Sequence, residues 1–142
     1  MSKNPVVHFE MGYEDRERLK RFYADAFGWQ MRQLGEEMGG YVVAQTAETD
    51  ENGMVKTPGT INGGFYKKSE DPLSHAPSVV IAVEDIAAAV EKVKAGGGEI
   101  LGAMGQDGQR SMEPQPIPGV GLWISIRDTE GNRVSLLQPN KM

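Results

Sequence analysis

A chain of 142 residues has room for one domain with a real core, and none for a second full domain. Its net charge of −5, with no basic run, argues against a nucleic-acid footprint, and the lack of cysteine removes disulfides, thiol nucleophiles and cysteine-ligated metals. No apolar stretch reaches the about 18 residues of a membrane span and no signal-peptide run opens the chain, so a cytoplasmic protein without a membrane partner is expected.

The first organised stretch is residues 6–29, VVHFEMGYEDRERLKRFYADAFGW. Val7, Phe9 and Met11 alternate with His8 and Glu10, the period of two that gives a strand one apolar and one polar face. Leu19, Phe22, Tyr23, Ala26 and Phe27 then form a helical stripe. Asp15 suits the N-cap or the first turn, where its carboxylate meets unpaired amides and the positive end of the helix dipole, and Gly28 suits the left-handed position that closes a helix.

Residues 29–34, 40–46 and 61–68 read as three further strands, the last two separated by a polar loop. The pair Gly63-Gly64 inside the third is unusual, and it points to a bulge ahead of a close approach by a ligand or another backbone. Residues 69–77 form a polar linker with two prolines, and its His75 reads as a solvated loop residue.

From Ser78 the programme repeats. SVVIAVEDIAAAVEKVKAGGG is again strand, acidic turn, helix and glycine, with Asp15/Asp85, Gly28/Gly98 and His8/Ser78 all 70 residues apart. Strands are expected at 99–103, 122–127 and 133–138, with an irregular loop at 104–121 and a turn at 128–132. The string βαβββ–βαβββ, with more strands than helices, is an α+β pattern. It gives one domain over 1–142, with module 1 at about 5–68, the linker at 69–77 and module 2 at about 78–139.

The first-strand HFE, the helix RFYADAFGW, INGGFYKK, VEDI and above all IPGVGLWISIRDTEGNRVSLLQP resemble the vicinal oxygen chelate superfamily. That superfamily includes glyoxalase I, extradiol dioxygenases, fosfomycin-modifying enzymes and bleomycin-binding proteins. The chain is most similar to its small single-domain glyoxalase-like bacterial members. The resemblance implies two βαβββ modules forming a cupped mixed sheet with helices on the convex side, and a homodimer. It also lets the strand alternation be read as a map of the cup. His8, Glu10, Asn62, Gly64, Ser78, Trp123 and Ser135 are the expected ligand-binding positions, with Arg127 on the same face. Phe9, Phe22 and Phe27 are expected between sheet and helix.

Metal-dependent members use four cup positions, filled by His, Glu or Gln. The resemblance carries these onto His8, onto Gly63 or Gly64 (the alternation favours Gly64), onto Ser78 and onto Ser135. One imidazole, a glycine and two hydroxyls fall short of the about three side-chain ligands of a catalytic zinc, so neither a metal nor another cofactor is expected. Direct i, i+2 neighbours on a strand lie about 7 Å apart, so pairing His8 with Glu10 needs converging side chains or a group between them. No Ser-His-acid relay, nucleophile elbow or phosphate loop is present.

Two classes of function follow. One is a metal-free module that binds a small apolar or aromatic molecule. The other is an enzyme, either a glyoxalase-type lyase or isomerase or a metal-free acid–base catalyst using His8 and Glu10. A pure interaction protein with a vestigial cup is a third, weaker alternative.

Overall fold

The computed structural model describes residues 3–105 and 107–140. They form two helices and ten strands of an α+β fold, in two compact units: residues 8–77, and residues 78–140 joined by 3–7. The N-terminal segment is tied to the second unit by Ala82 N–H, which donates to the Pro5 carbonyl at 2.9 Å.

The first unit runs β1 (Val6–Tyr13, from His8 onward in this unit), α1 (Arg16–Phe27), β2 (Gln30–Gln33), β3 (Val42–Gln45) and β4 (Asn62–Lys67). Its strand order is β2-β3-β4-β1, antiparallel except for the parallel β1/β4 pair. The Asp15 side chain accepts the Arg18 amide at the N-terminus of α1, and Gly28 closes the helix at φ 72°. α1 packs by Leu19 and Tyr23 on a sheet face carrying Phe9, Met11, Tyr13, Val42, Ala44 and Phe65, with Trp29 and Met31 beside them. Two of the expected core residues are not there. Phe22 and Phe27 are 56% and 62% exposed. The stripe is narrower than the sequence suggests, because Leu19 and Tyr23 alone reach the sheet and Phe22 and Phe27 flank them on the outer side.

The second unit runs β5 (Ser78–Ala82), α2 (Ile86–Ala95), β6 (Glu99–Met104), β7 (Arg110–Ser111), β8 (Gln115–Ile117), β9 (Gly121–Arg127) and β10 (Arg133–Pro139). The order β6-β9-β10-β5 repeats β2-β3-β4-β1, again with the first and last strands parallel. Asp85 caps α2 by accepting the Ala88 amide, as Asp15 caps α1. Val83, Ile86, Val90, Ala103, Ile124, Ile126 and Leu136 form its buried core.

Several sequence expectations shift. The stretch 104–121 carries β7 and β8, and its Gln106 lies outside the described residues. The linker contains a short 3-10 turn, Pro72–His75, capped by Asp71. α2 ends two residues earlier than α1 in the repeat, with Gly96 at its C-cap (φ −84°), and the left-handed glycine that follows is Gly97, at φ 94°, and not Gly98. The bulge expected at Gly63-Gly64 is absent: β4 pairs with β1 in unbroken register. A register shift lies instead in β6, between Ile100 and Gly102, where Gly102 has φ 103°.

Candidate functional site

The two glycines of β4 are explained by what lies over them. Phe9 pairs with Gly63 across the strands, and a Cβ at Gly63 would collide with the Phe9 ring on the helix-facing side. Gly64 pairs with Glu10 and Val43 on the opposite face, and a Cβ there would collide with the Tyr41 phenol. Each glycine makes room for an aromatic ring.

Tyr41 is set at the entrance to β3. Gly39 and Gly40, at φ 68° and 74°, turn the chain out of a 3-10 turn at Glu36–Met38. The Tyr41 carbonyl then accepts the Leu34 amide at 2.8 Å, fixing its backbone. From there the side chain lies on the face shared by His8, Glu10 and Gly64. Its hydroxyl donates to Glu10 Oε2 at 2.9 Å and lies 3.1 Å from His8 Nε2. The phenol is the bridging group that the strand spacing of His8 and Glu10 requires.

A phenol has one proton. With that proton on Glu10, the His8 contact needs Nε2–H as donor, which leaves Nδ1 as the basic nitrogen of the neutral ring. Burial holds the imidazole below its ordinary value of 6.5 and so favours that neutral form. Burial first, then the Glu10 charge, the hydrogen bond to it and a smaller contribution from Tyr66 push the Tyr41 phenol far above its ordinary 10. Glu10 is itself only 8% exposed. The array is therefore a half-buried polar chain of neutral imidazole, neutral phenol and a buried carboxyl group.

Asn62, one row along this face, spends its carbonyl oxygen on the amides of Thr46 and Ala47, at 2.8 and 3.1 Å. In the second unit, Ser135 is 1% exposed and Ser78 is also buried. Ser135 Oγ lies 3.1 Å from Ser125 Oγ, its partner across the antiparallel β9/β10 pair. Arg133 Nη2 lies 3.5 Å from Ser78 Oγ. Trp123 is half-buried and packs on the core of this unit, while Arg127 pairs with Glu99 at 3.5 Å. The exposed His75 contacts the Ser69 carbonyl at 2.9 Å.

Sequence reasoning passed over Tyr41, although two signals marked it. A Gly-Gly pair within a strand leaves room for a ring above it. The internal repeat also places Tyr41 where Trp123 stands, since Val43 opposes Gly64 as Ser125 opposes Ser135.

A divalent metal of the kind held by related enzymes does not fit these residues. Gly64 has no side chain to offer, and its space is filled by the Tyr41 phenol. Ser78 and Ser135 offer only hydroxyls already engaged in hydrogen-bonded contacts. Among the described residues, no group of three or more His, Cys, Asp or Glu could hold an ion.

Paired βαβββ modules, each with its helix on one sheet face and polar groups on the other, define a glyoxalase-type fold. The chain belongs to the Glyoxalase/Bleomycin resistance protein/Dioxygenase superfamily, whose family model matches residues 6–136. Solved structures agree. A hypothetical protein from Bacillus halodurans C-125 is 12% identical with a TM-score of 0.67, over 99% of this chain and 98% of that one. Methylmalonyl-CoA epimerase from Streptomyces coelicolor, in complex with 2-nitronate-propionyl-CoA, is 14% identical with a TM-score of 0.67, over 99% and 100%. A superfamily member from Vibrio splendidus 12B01 is 15% identical with a TM-score of 0.60, over 96% and 99%. At these identities the likeness is one of fold. No curated protein matches the chain in sequence. No helix among the described residues is long and apolar enough to cross a membrane.

Proposed function

We propose that this chain is a metal-independent member of its superfamily that binds a small apolar or aromatic molecule, with His8 and Glu10 as polar anchors. The observation that carries the reading is the His8–Tyr41–Glu10 array, a half-buried hydrogen-bonded chain on the sheet face turned away from α1. Such sites pair an apolar surface with a few fixed polar groups that orient the ligand. The same reading assigns ligand contacts to Asn62 and Gly64 in the first module and to Ser78, Trp123 and Ser135 in the second. It includes a cytoplasmic homodimer with neither nucleic acid nor membrane as partner. The test is native mass spectrometry and calorimetry of chelator-free protein against a panel of aromatic and aliphatic small molecules. Binding that weakens at least tenfold in His8→Ala is expected. Stoichiometric metal in the purified protein, or no ligand from the panel, would overturn it.

Acid–base catalysis is the second reading, favoured by one observation: Tyr41 donates to Glu10 and meets His8 Nε2, which leaves Nδ1 as the basic nitrogen of an imidazole whose neutral form burial favours. A base of this kind suits proton removal from carbon next to a carbonyl. Acyl thioesters with an acidic C–H, in deuterated water, are the probe. Deuterium uptake that vanishes in His8→Ala would favour the enzyme; no uptake would leave the binding module.

A further inference from the structure

We infer that Tyr41 is the residue that keeps this site free of metal. Its hydroxyl stands where a cation shared by His8 and Glu10 would have to sit, and its ring fills the space a third ligand at position 64 would need. The inference rests on the metal-free reading given above and assigns a cause to it.

The hydroxyl oxygen lies 3.1 Å from His8 Nε2 and 2.9 Å from Glu10 Oε2, so both donors converge on one point. A zinc ion would approach each to about 2.0–2.2 Å. Placed between them, it would overlap the phenol oxygen. The residue opposite Glu10 across the parallel β1/β4 pair is Gly64, and β4 is regular there. Backbone conformation therefore does not demand glycine at this position. The Tyr41 phenol does, because any Cβ would collide with it. One side chain thus removes both the ion's place and the third ligand's place.

The test is zinc binding, read by competition with a chromophoric chelator, in the natural protein, Tyr41→Phe, Tyr41→Ala and the double variant Tyr41→Ala/Gly64→Glu. The natural protein should bind no zinc at one equivalent, and Tyr41→Phe should match it, because the ring carbon that bears the hydroxyl still lies too close to the ion's place. Tyr41→Ala should gain at least tenfold in affinity. The double variant should gain at least a hundredfold at one ion per chain, and lose that gain when His8→Ala is added. Circular dichroism and melting midpoints establish folding, and Tyr41→Ala alone carries the test if the double variant does not fold. A folded Tyr41→Ala that binds no better than the natural protein overturns the role of Tyr41 but leaves the metal-free reading standing. Tight zinc binding by the natural protein overturns that reading itself.

Discussion

Tyr23 stacks on Trp29 with ring planes 9° apart and centroids 4.7 Å apart. Tyr23 also lies 5.2 Å from the fully buried Phe65, so it is the ring that joins α1 to its sheet. Phe22 meets Tyr23 edge-on at 5.0 Å and is left outside. Phe22→Ala should therefore change stability by less than about 1 kcal/mol, as substitutions away from packing do. Phe65→Ala should cost about 3–5 kcal/mol. Denaturant midpoints of the two variants check this, and equal losses would mean that the helix is rotated from the position described.

The two glycines of β4 should behave unlike glycines of turns. Gly63→Ala forces the Phe9 ring out of its contacts with Trp29 and Phe65, and overpacking of this kind costs about 1–3 kcal/mol. Gly64→Ala displaces the Tyr41 phenol from His8 and Glu10, with a similar cost of about 1–3 kcal/mol. Adding Tyr41→Ala to Gly64→Ala should recover part of that loss. Thermal melting of the four proteins gives the coupling, and strict additivity would show that the two positions do not touch.

Burial of His8 sets an acid limb. Its folded-state pKa lies below 6.5, so as pH falls the unfolded chain takes up the proton first. Stability is full above about pH 6.5 and declines below it until the folded pKa is reached. His8→Gln removes this contribution. Between about pH 7.5 and pH 5 the melting midpoint of the natural protein should fall more steeply than that of the variant. Parallel slopes would assign the acid sensitivity to other groups.

The homodimer is checked by sedimentation at micromolar concentration. A mass of two chains is expected, and a monomeric mass would remove it from the proposed function.

Most of the fold was legible because it is written in local chemistry. Asp15 and Asp85 each announce a helix start, and the strands alternate at period two, so the duplicated βαβββ string follows from the residues alone. The face that Gly64 shares with Glu10 also follows from that alternation, whereas their pairing across the strands comes from the folded register. What was not legible depends on rings and on packing distance. Nothing in the helical stripe says that Leu19 and Tyr23 suffice to cover the sheet and that Phe22 does not. The pairs in β7 and β8 are too short to carry a pattern. Tyr41 stands 31 residues from Glu10 in sequence, and only the folded register brings them together.

The collision between position 64 and the ring at position 41 also constrains how this sequence can change. Removing the ring while 64 is still glycine leaves a gap, which a fold can survive. Adding a side chain at 64 while the ring is in place creates a clash within a paired strand. Of the two single-step routes between a ring-filled and a side-chain-filled site, only the one that gives up the ring first avoids that clash. Position 41 is thus a latch on position 64, and relatives bearing any side chain at 64 are expected to carry a small residue at 41.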